Sequence, residues 1–277
     1  MSFGAVIGAR YRALNLLGSG GMGQVHRVLD LVTGNVVALK SVKAALNYLD
    51  VPTRVERFPL AGTPEDLTGS GPDDTVRAAL AHEFELLSNL RHENIVSVLD
   101  YGFDERGQPY YAMSLAENAQ LITVAGAGQS VDVQADLLAQ LLRGLEYLHW
   151  AGILHRDLKP SNVLVVDGKV KLLDFGIAVA AEHLSEERDG EFGGTLAFVA
   201  PEVLRGVSAS CGSDLFGVGM IAYQMLTGHN PRSLRSRQEL VRDILSQKID
   251  ADVAGVPPAL APIVTKLLAA SPQARYQ

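Results

Sequence analysis

Residues 155–176 read HRDLKPSNVLVVDGKVKLLDFG, and no other stretch restricts the possible folds so tightly. Two apolar runs flank Asp167-Gly168, a dipeptide that tolerates the positive φ angles of a tight turn and so signals a β-hairpin. Asn162 stands just before the first run and Asp174 just after the second, so the hairpin brings them together. Asp157 lies nearby in the chain. An amide and carboxylates are hard oxygen donors of the kind magnesium takes, with the remaining positions left to phosphate and water. The preceding segment, DVQADLLAQLLRGLEYLH, carries Leu137, Leu138, Leu141, Leu142, Leu145 and Leu148 around most of a helical circumference, the pattern of a helix buried on nearly every side.

Toward the start of the chain, GSGGMGQV (18–25) spends four of its first six positions on glycine. Each ordered glycine costs roughly 0.5–1 kcal/mol relative to alanine. By itself the pattern Gly18-x-Gly20-x-x-Gly23-x-Val25 fits a dinucleotide-binding turn, a kinase phosphate loop or an ordinary hairpin. From Tyr11 to Lys40 the text alternates strand, glycine turn, strand, a turn at Thr33-Gly34-Asn35, and strand, an antiparallel meander ending in VVALK. Residues 45–74 are broken by Pro52, Pro59, Pro64 and Pro72. They also carry large apolar groups such as Tyr48 and Phe58, more than a solvated linker holds. That leaves a folded-back surface loop or a docking or regulatory segment.

A helix is expected from about Thr75 to Leu90, with Asp73 or Asp74 as its cap. Val76, Leu80, Phe84 and Leu87 form its apolar stripe, and Glu83 falls at the stripe's edge. An uncompensated buried carboxylate costs on the order of 3–5 kcal/mol, so Glu83 needs a partner, and Lys40 is the candidate. Two further strands flank Asp104-Glu105-Arg106-Gly107. Beyond the glycines near 126–128 the chain is helix-rich, through GMIAYQML and LAPIVTKLL. The expectation is an α+β chain, a small sheet-based part followed by a larger helical one.

With 277 residues, 47% apolar and 20% charged, the chain is long enough for one or two cores. No apolar run approaches the ~18–20 residues needed to span a bilayer. The opening MSFGAVIGARYR lacks the features of a secretion signal. The single cysteine, Cys211, allows no internal disulfide and reads as a passive buried thiol. These features together predict a cytoplasmic location, with no membrane segment within this chain. The net charge of −7 argues against a nucleic-acid binder, which carries a basic footprint. The other histidines, His26, His82, His92, His149, His183 and His229, show no metal-ligand spacing, and zinc is not expected.

The motifs, taken in order, resemble the eukaryotic-like protein kinases over essentially the whole chain. They are Gly18 to Val25, Val37-Ala38-Leu39-Lys40, Glu83, His155 to Asn162, Asp174-Phe175-Gly176 and Ala200-Pro201-Glu202. The doublet in GSGGMG looks like the bacterial serine/threonine branch. The resemblance implies a bilobal kinase fold, with a small antiparallel-sheet N-lobe bearing one main helix (1–116, with the insertion at about 45–74) and a larger helical C-lobe (117–277). It implies transfer of the γ-phosphoryl group of ATP to serine or threonine of protein substrates, including autophosphorylation, with magnesium or, in its place, manganese.

Carried over position by position, the backbone of Gly18, Ser19, Gly20, Gly21, Met22 and Gly23 would close over the ATP phosphates. Lys40 would hold the α- and β-phosphates and pair with Glu83. Asn162 and Asp174 would bind the metal. Asp157 would orient the acceptor hydroxyl and take its proton, Lys159 would offset charge on the transferring group, and Thr195 would lie beside Asp157. Met113 would be the gatekeeper, Ser114 to Ala116 would present backbone groups to adenine, and Val25, Ala38 and Leu164 would sandwich the base. Leu87, Val98, His155 and Phe175 would stack as a spine. Asp214 would brace the catalytic loop and Glu202 would pair with Arg275.

Several features depart from the family pattern. His26 stands where an aromatic residue is usual, and is expected to change nucleotide affinity modestly. Ser114 replaces a common hinge glutamate. About two dozen extra residues separate Lys40 from Glu83. Ser185 and Thr195 are the only hydroxyl side chains between Asp174 and Ala200, so Arg156 is expected to be balanced partly by Glu186, Glu187, Asp189 or Glu191. The chain stops shortly after Arg275, which reads as the catalytic part of a longer protein. Two alternatives stand beside an active kinase. One is a nucleotide-binding pseudokinase scaffold, disfavoured by the presence of Lys40, Asp157, Asn162 and Asp174. The other is a small-molecule phosphotransferase, disfavoured by the segment Thr195 to Glu202.

Overall fold

The computed structural model of the chain describes residues 4–20, 23–42, 87–175, 196–232, 236–246 and 255–277. The described residues fall into two compact units. One holds the chain up to Leu90 together with Ser97–Leu115, and the other holds Arg91–Val96 and the chain from Ala116 onward.

The first unit is built on a six-stranded antiparallel sheet. Its strands are β1 (Val6–Ile7), β2 (Tyr11–Gly20), β3 (Gly23–Asp30), β4 (Val36–Val42), β5 (Val98–Phe103) and β6 (Pro109–Met113), in spatial order β1-β2-β3-β4-β6-β5. The meander over β2 to β4 and the hairpin over β5 and β6 are those the turn residues predict. β1 is an addition. Period-two alternation sorts the side chains by face. Ile7, Tyr11, Val28, Val37, Leu39, Tyr110 and Ala112 close one core, with Tyr11 and Tyr110 edge to face at 5.8 Å between centroids. Ala38 and Lys40 alternate with Val37 and Leu39 and so lie on the opposite face, where Val25 is the register partner of Lys40 and Met113 that of Ala38.

This register also places His26. It pairs with Leu39 on the closed face, is buried, and has its pKa lowered by that burial. It follows Val25 directly, so the pleat turns it away from the face that carries Lys40.

In the second unit, β8 (Val163–Val166) and β9 (Lys169–Leu172) form the expected hairpin, joined by β7 (Gln120–Leu121) in the order β7-β8-β9. Asp167 and Gly168 have φ of 48° and 74°, the two positive angles of a tight hairpin turn. The hairpin lies on the long helix Val131–Trp150, which starts at a Ser130 cap. Gly144 makes this contact possible, because a Cβ there would stand 2.8 Å from Leu172 and 3.2 Å from the Asn94 carbonyl oxygen. The buried Gln140 carboxamide ties helix to hairpin by accepting from the Val170 N–H at 2.9 Å and from Asn94 at 3.1 Å.

A second long helix, Cys211–Thr227, is buried along most of its length through Phe216, Val218, Met220, Ile221 and Met225. A reciprocal Ser210–Ser213 capping box starts it, and Gly228 at φ 75° ends it. Shorter helices at Pro201–Leu204, Arg237–Leu245 and Ala261–Leu267 complete the unit with the turn Ile122–Ala125. Cys211 corrects an expectation, because it is exposed in the first turn of its helix. Being the first helical residue, it precedes the inward stripe, and partial burial of the thiol with the nearby Asp214 raises its pKa. Among the described residues no helix is long and apolar enough to cross a membrane.

A charged clamp, invisible to periodicity, ties three strands of the first unit together. Arg10 donates through Nε and Nη2 to both oxygens of Asp30, each at 2.8 Å, and through Nη1 to Asp100 at 2.6 Å. The Tyr11 hydroxyl also donates to Asp100, at 2.8 Å. Asp30 further accepts from the Val32 N–H and the Thr33 hydroxyl, fixing the turn after β3. The Arg10 hydrogen bonds hold the Asp30 carboxyl well below its ordinary range. Replacing Asp30→Ala should cost about 2 kcal/mol of unfolding free energy at pH 7, read by urea denaturation. Since the folded pKa is depressed, this contribution is complete above the unfolded value of 3.8 and is lost as pH falls below it, so the gap between parent and variant should narrow in acid.

Candidate active site

The hairpin and the loop before it bring three polar groups together within the second unit. The Leu173 N–H donates to the Asn162 carbonyl at 2.9 Å, continuing the Val163–Leu172 register by one step and leaving Asp174 beside Asn162. Asn162 sits in the 3-10 turn Pro160–Asn162, begun by the fixed φ of Pro160. Its Nδ2 donates to the Asp157 backbone oxygen at 2.8 Å and to Asp157 Oδ2 at 3.0 Å. Lys159 Nζ reaches the same Oδ2 at 2.9 Å. Asp157 is therefore held through one oxygen. Asn162 and Asp157 are both buried.

A carboxylate on the Cys211–Thr227 helix fixes the loop's entry. Asp214, itself buried, accepts from the His155 N–H at 2.8 Å and the Arg156 N–H at 2.9 Å, and from His149 Nε2 at 2.8 Å. These bonds hold Arg156 at φ 66°, a left-handed conformation that costs a non-glycine residue on the order of 1–2 kcal/mol. Asp174 is left-handed too, at φ 56°. Asp214 thus braces the loop at 155–156, as the family resemblance implies. Its third partner, His149, carried no mark in the sequence beyond its position in the last turn of the buried helix.

His155 is fully buried, and its ring meets Phe175 edge to face at 6.4 Å. Burial lowers its pKa, so the ring is neutral at pH 7. Gly217, one turn after Asp214, is a further residue the sequence did not mark. A Cβ there would come within 2.8 Å of Leu158 Cβ, so the helix needs glycine to approach the loop. The Glu202–Arg275 pair also forms as expected, bidentate at 2.6 and 2.9 Å, with Ser213 donating to Glu202 at 2.9 Å.

The nucleotide-contacting candidates are distributed over both units. Gly18, Ser19 and Gly20 end β2 and Gly23 opens β3, with Gly18 opposite Val25 and Gly20 opposite Gly23. A Cβ built on Gly18 or Gly20 would meet nothing within 4 Å, so the protein's own packing does not demand glycine at either position. Val25, Ala38, Lys40 and Met113 share one face of the sheet. Ser114 follows β6, and its N–H donates to the Ser97 carbonyl at 2.9 Å, which leaves its own carbonyl for other partners. Ala116 and Leu164 belong to the second unit, Leu164 lying in β8 opposite Leu121. Gly21, Met22, Glu83 and Thr195 lie outside the described residues, as do the 45–74 insertion, Ser185 and the acidic residues expected to balance Arg156. Among the described residues, no three or more His, Cys, Asp or Glu side chains converge as a metal cluster would.

The model for the protein kinase domain family matches residues 69–277. Serine/threonine-protein kinase PknL of Mycobacterium tuberculosis is 32% identical over 282 residues, an alignment covering 98% of this chain and 63% of PknL. PknA of the same organism is 30% identical over 285 residues, covering 99% of this chain and 60% of PknA. The probable serine/threonine-protein kinase PknB of Bifidobacterium longum is 31% identical over 289 residues, covering 98% of this chain and 38% of PknB. The chain thus spans less than two thirds of the length of these curated relatives. Two solved structures of the M. tuberculosis PknI kinase domain cover all of this chain and 93% of their own, with TM-scores of 0.65 and 0.68 at 24% and 23% identity, a likeness of fold. With the family model matching most of its length, this chain belongs to the protein kinase domain family.

Proposed function

We propose that the chain is an ATP-dependent protein kinase that phosphorylates serine and threonine hydroxyls. The observation that carries this reading is the bonded set Asp157–Asn162–Lys159 with Asp174 alongside. Among the described residues, Asp157 receives its side-chain hydrogen-bonding partners on Oδ2, leaving Oδ1 to accept the proton of an incoming hydroxyl. Lys159, bound to that carboxylate, is also placed to offset charge on the transferring phosphoryl group.

The residues fit a divalent metal. Asn162 turns its nitrogen to Asp157 and so presents a neutral amide oxygen, while Asp174 supplies a carboxylate one strand-end away. Two oxygen donors with phosphate and water completing the shell suit magnesium, and manganese accepts the same set. When bound, the metal neutralises charge on the phosphate oxygens. In the sheet unit, the open space around a Cβ position at Gly18 and Gly20 lets phosphate come close to the backbone there, and Lys40 extends from the same face as Val25 and Ala38. The Ser114 carbonyl, which accepts no backbone hydrogen bond among the described residues, suits the amino group of adenine.

Incubation with labelled ATP, magnesium and myelin basic protein should give phosphoserine or phosphothreonine. Asp157→Asn and Lys40→Met should each lower the rate at least ~10²-fold, equal to about 2.7 kcal/mol of barrier. Thermal stabilisation by nucleotide with no transfer would instead favour a scaffold. Asp214→Asn, which turns an NH₂ group toward backbone donors, should lower kcat about tenfold and unfolding free energy by about 2 kcal/mol, measured by steady-state kinetics and urea titration.

A further inference from the structure

Arg232 follows the Cys211–Thr227 helix and is buried, at 4% exposure. Its Nη1 donates to the carbonyls of Ala197 and Val199, both at 2.8 Å. The guanidinium carbon lies 5.0 Å from the centroid of the Phe216 ring, which Arg275 also approaches at 4.9 Å. The two arginines differ in charge balance. Arg275 has the Glu202 carboxylate, whereas Arg232 makes no salt bridge among the described residues, and its Nε and Nη2 are buried without a hydrogen-bond partner. Desolvation draws its pKa down to about 10, which leaves it charged at pH 7.

A buried cation with two unsatisfied donors is costly. An apolar side chain of similar volume would pack against Phe216 without that cost. What it could not do is donate to two backbone carbonyls of this irregular segment, a need that the apolar packing of Ala197 and Phe198 against Leu240 and Ile244 does not meet. Residues 197–199 stand between Thr195 and Ala200-Pro201-Glu202, the stretch that implies a peptide-docking surface. Phe216 sits two residues after Asp214, which grips the N–H groups of His155 and Arg156. One rigid helix therefore references both the catalytic loop and, through Phe216 and Arg232, the segment at 197–199.

We propose that Arg232 is a positioning residue for protein-substrate docking, holding the Ala197–Val199 backbone in register with the catalytic loop and setting affinity for the acceptor without affecting nucleotide. This inference rests on the kinase reading above. The test compares parent, Arg232→Met and Arg232→Lys in the full chain, with myelin basic protein as acceptor. Arg232→Met should raise KM for the acceptor about tenfold, with kcat and KM for ATP within about twofold of the parent. Arg232→Lys, which keeps a charged donor for the two carbonyls, should recover most of the loss. Amide hydrogen exchange, which needs no activity, should quicken at 196–200 in Arg232→Met and stay unchanged at 155–158.

An unchanged acceptor KM, a parallel change in both KM values, or exchange quickened equally at both segments would overturn the proposal, as would Arg232→Lys behaving like Arg232→Met. If Arg232→Met does not fold, Arg232→Gln takes its place, with the same selective rise in acceptor KM expected and an unchanged acceptor KM overturning the proposal. A parent that transfers no phosphate would overturn the kinase reading and this inference with it. A parent that does, alongside an indifferent Arg232→Met, would sink only the inference.

Discussion

The helical unit depends on one buried carboxylate. Asp214 accepts two backbone N–H groups and one imidazole, and through them holds a left-handed residue next to Asp157, the aspartate proposed to act in catalysis. A carboxylate is suited to this because its two oxygens accept several hydrogen bonds, and charge-assisted bonds are about twice as strong as neutral ones. Its position in the first turn of a helix, where the dipole favours negative charge, offsets part of the cost of burying it. The loop's conformation is thus a property of the helix that carries Asp214.

From that anchor the other elements follow as a set of linked contacts. Gly217 lets the same helix approach Leu158, and Gly144 lets the Val131–Trp150 helix approach Leu172 at the end of the hairpin. Asn94 and Gln140 then fasten the hairpin, so Asn162 and Asp174 are held from both sides. Glu202 and Arg275 tie the Pro201–Leu204 turn to the end of the chain. The polar groups proposed to do chemistry are held by buried hydrogen bonds, while the surrounding aliphatic packing supplies rigidity.

Much of this was legible beforehand because it is local. The Asp167-Gly168 turn, the meander over β2 to β4, the Leu-rich buried helix and the proximity of Asn162 to Asp174 each follow from spacing within a short window. Asp214 and the Glu202–Arg275 pair were legible only through family resemblance, since no local rule pairs residues so far apart. Cys211 was misjudged because composition speaks for the average cysteine, whereas a helix's first residue points where the cap directs it. The face that His26 occupies was not legible, because only strand register decides it.

The sequence by itself determined the order of elements, the turn chemistry and the identity of the polar groups, because these rest on φ/ψ preferences and on periodicities of two and 3.6. Tertiary structure decided the insertion of β6 between β4 and β5, the Arg10–Asp30–Asp100 clamp, the third partner of Asp214 and the burial of Arg232 without a salt bridge among the described residues. Each of these joins residues distant in the chain through the directional demands of buried polar groups. Such demands are met by whichever partner the packing brings within about 3 Å, and that partner is fixed only when the whole unit has closed.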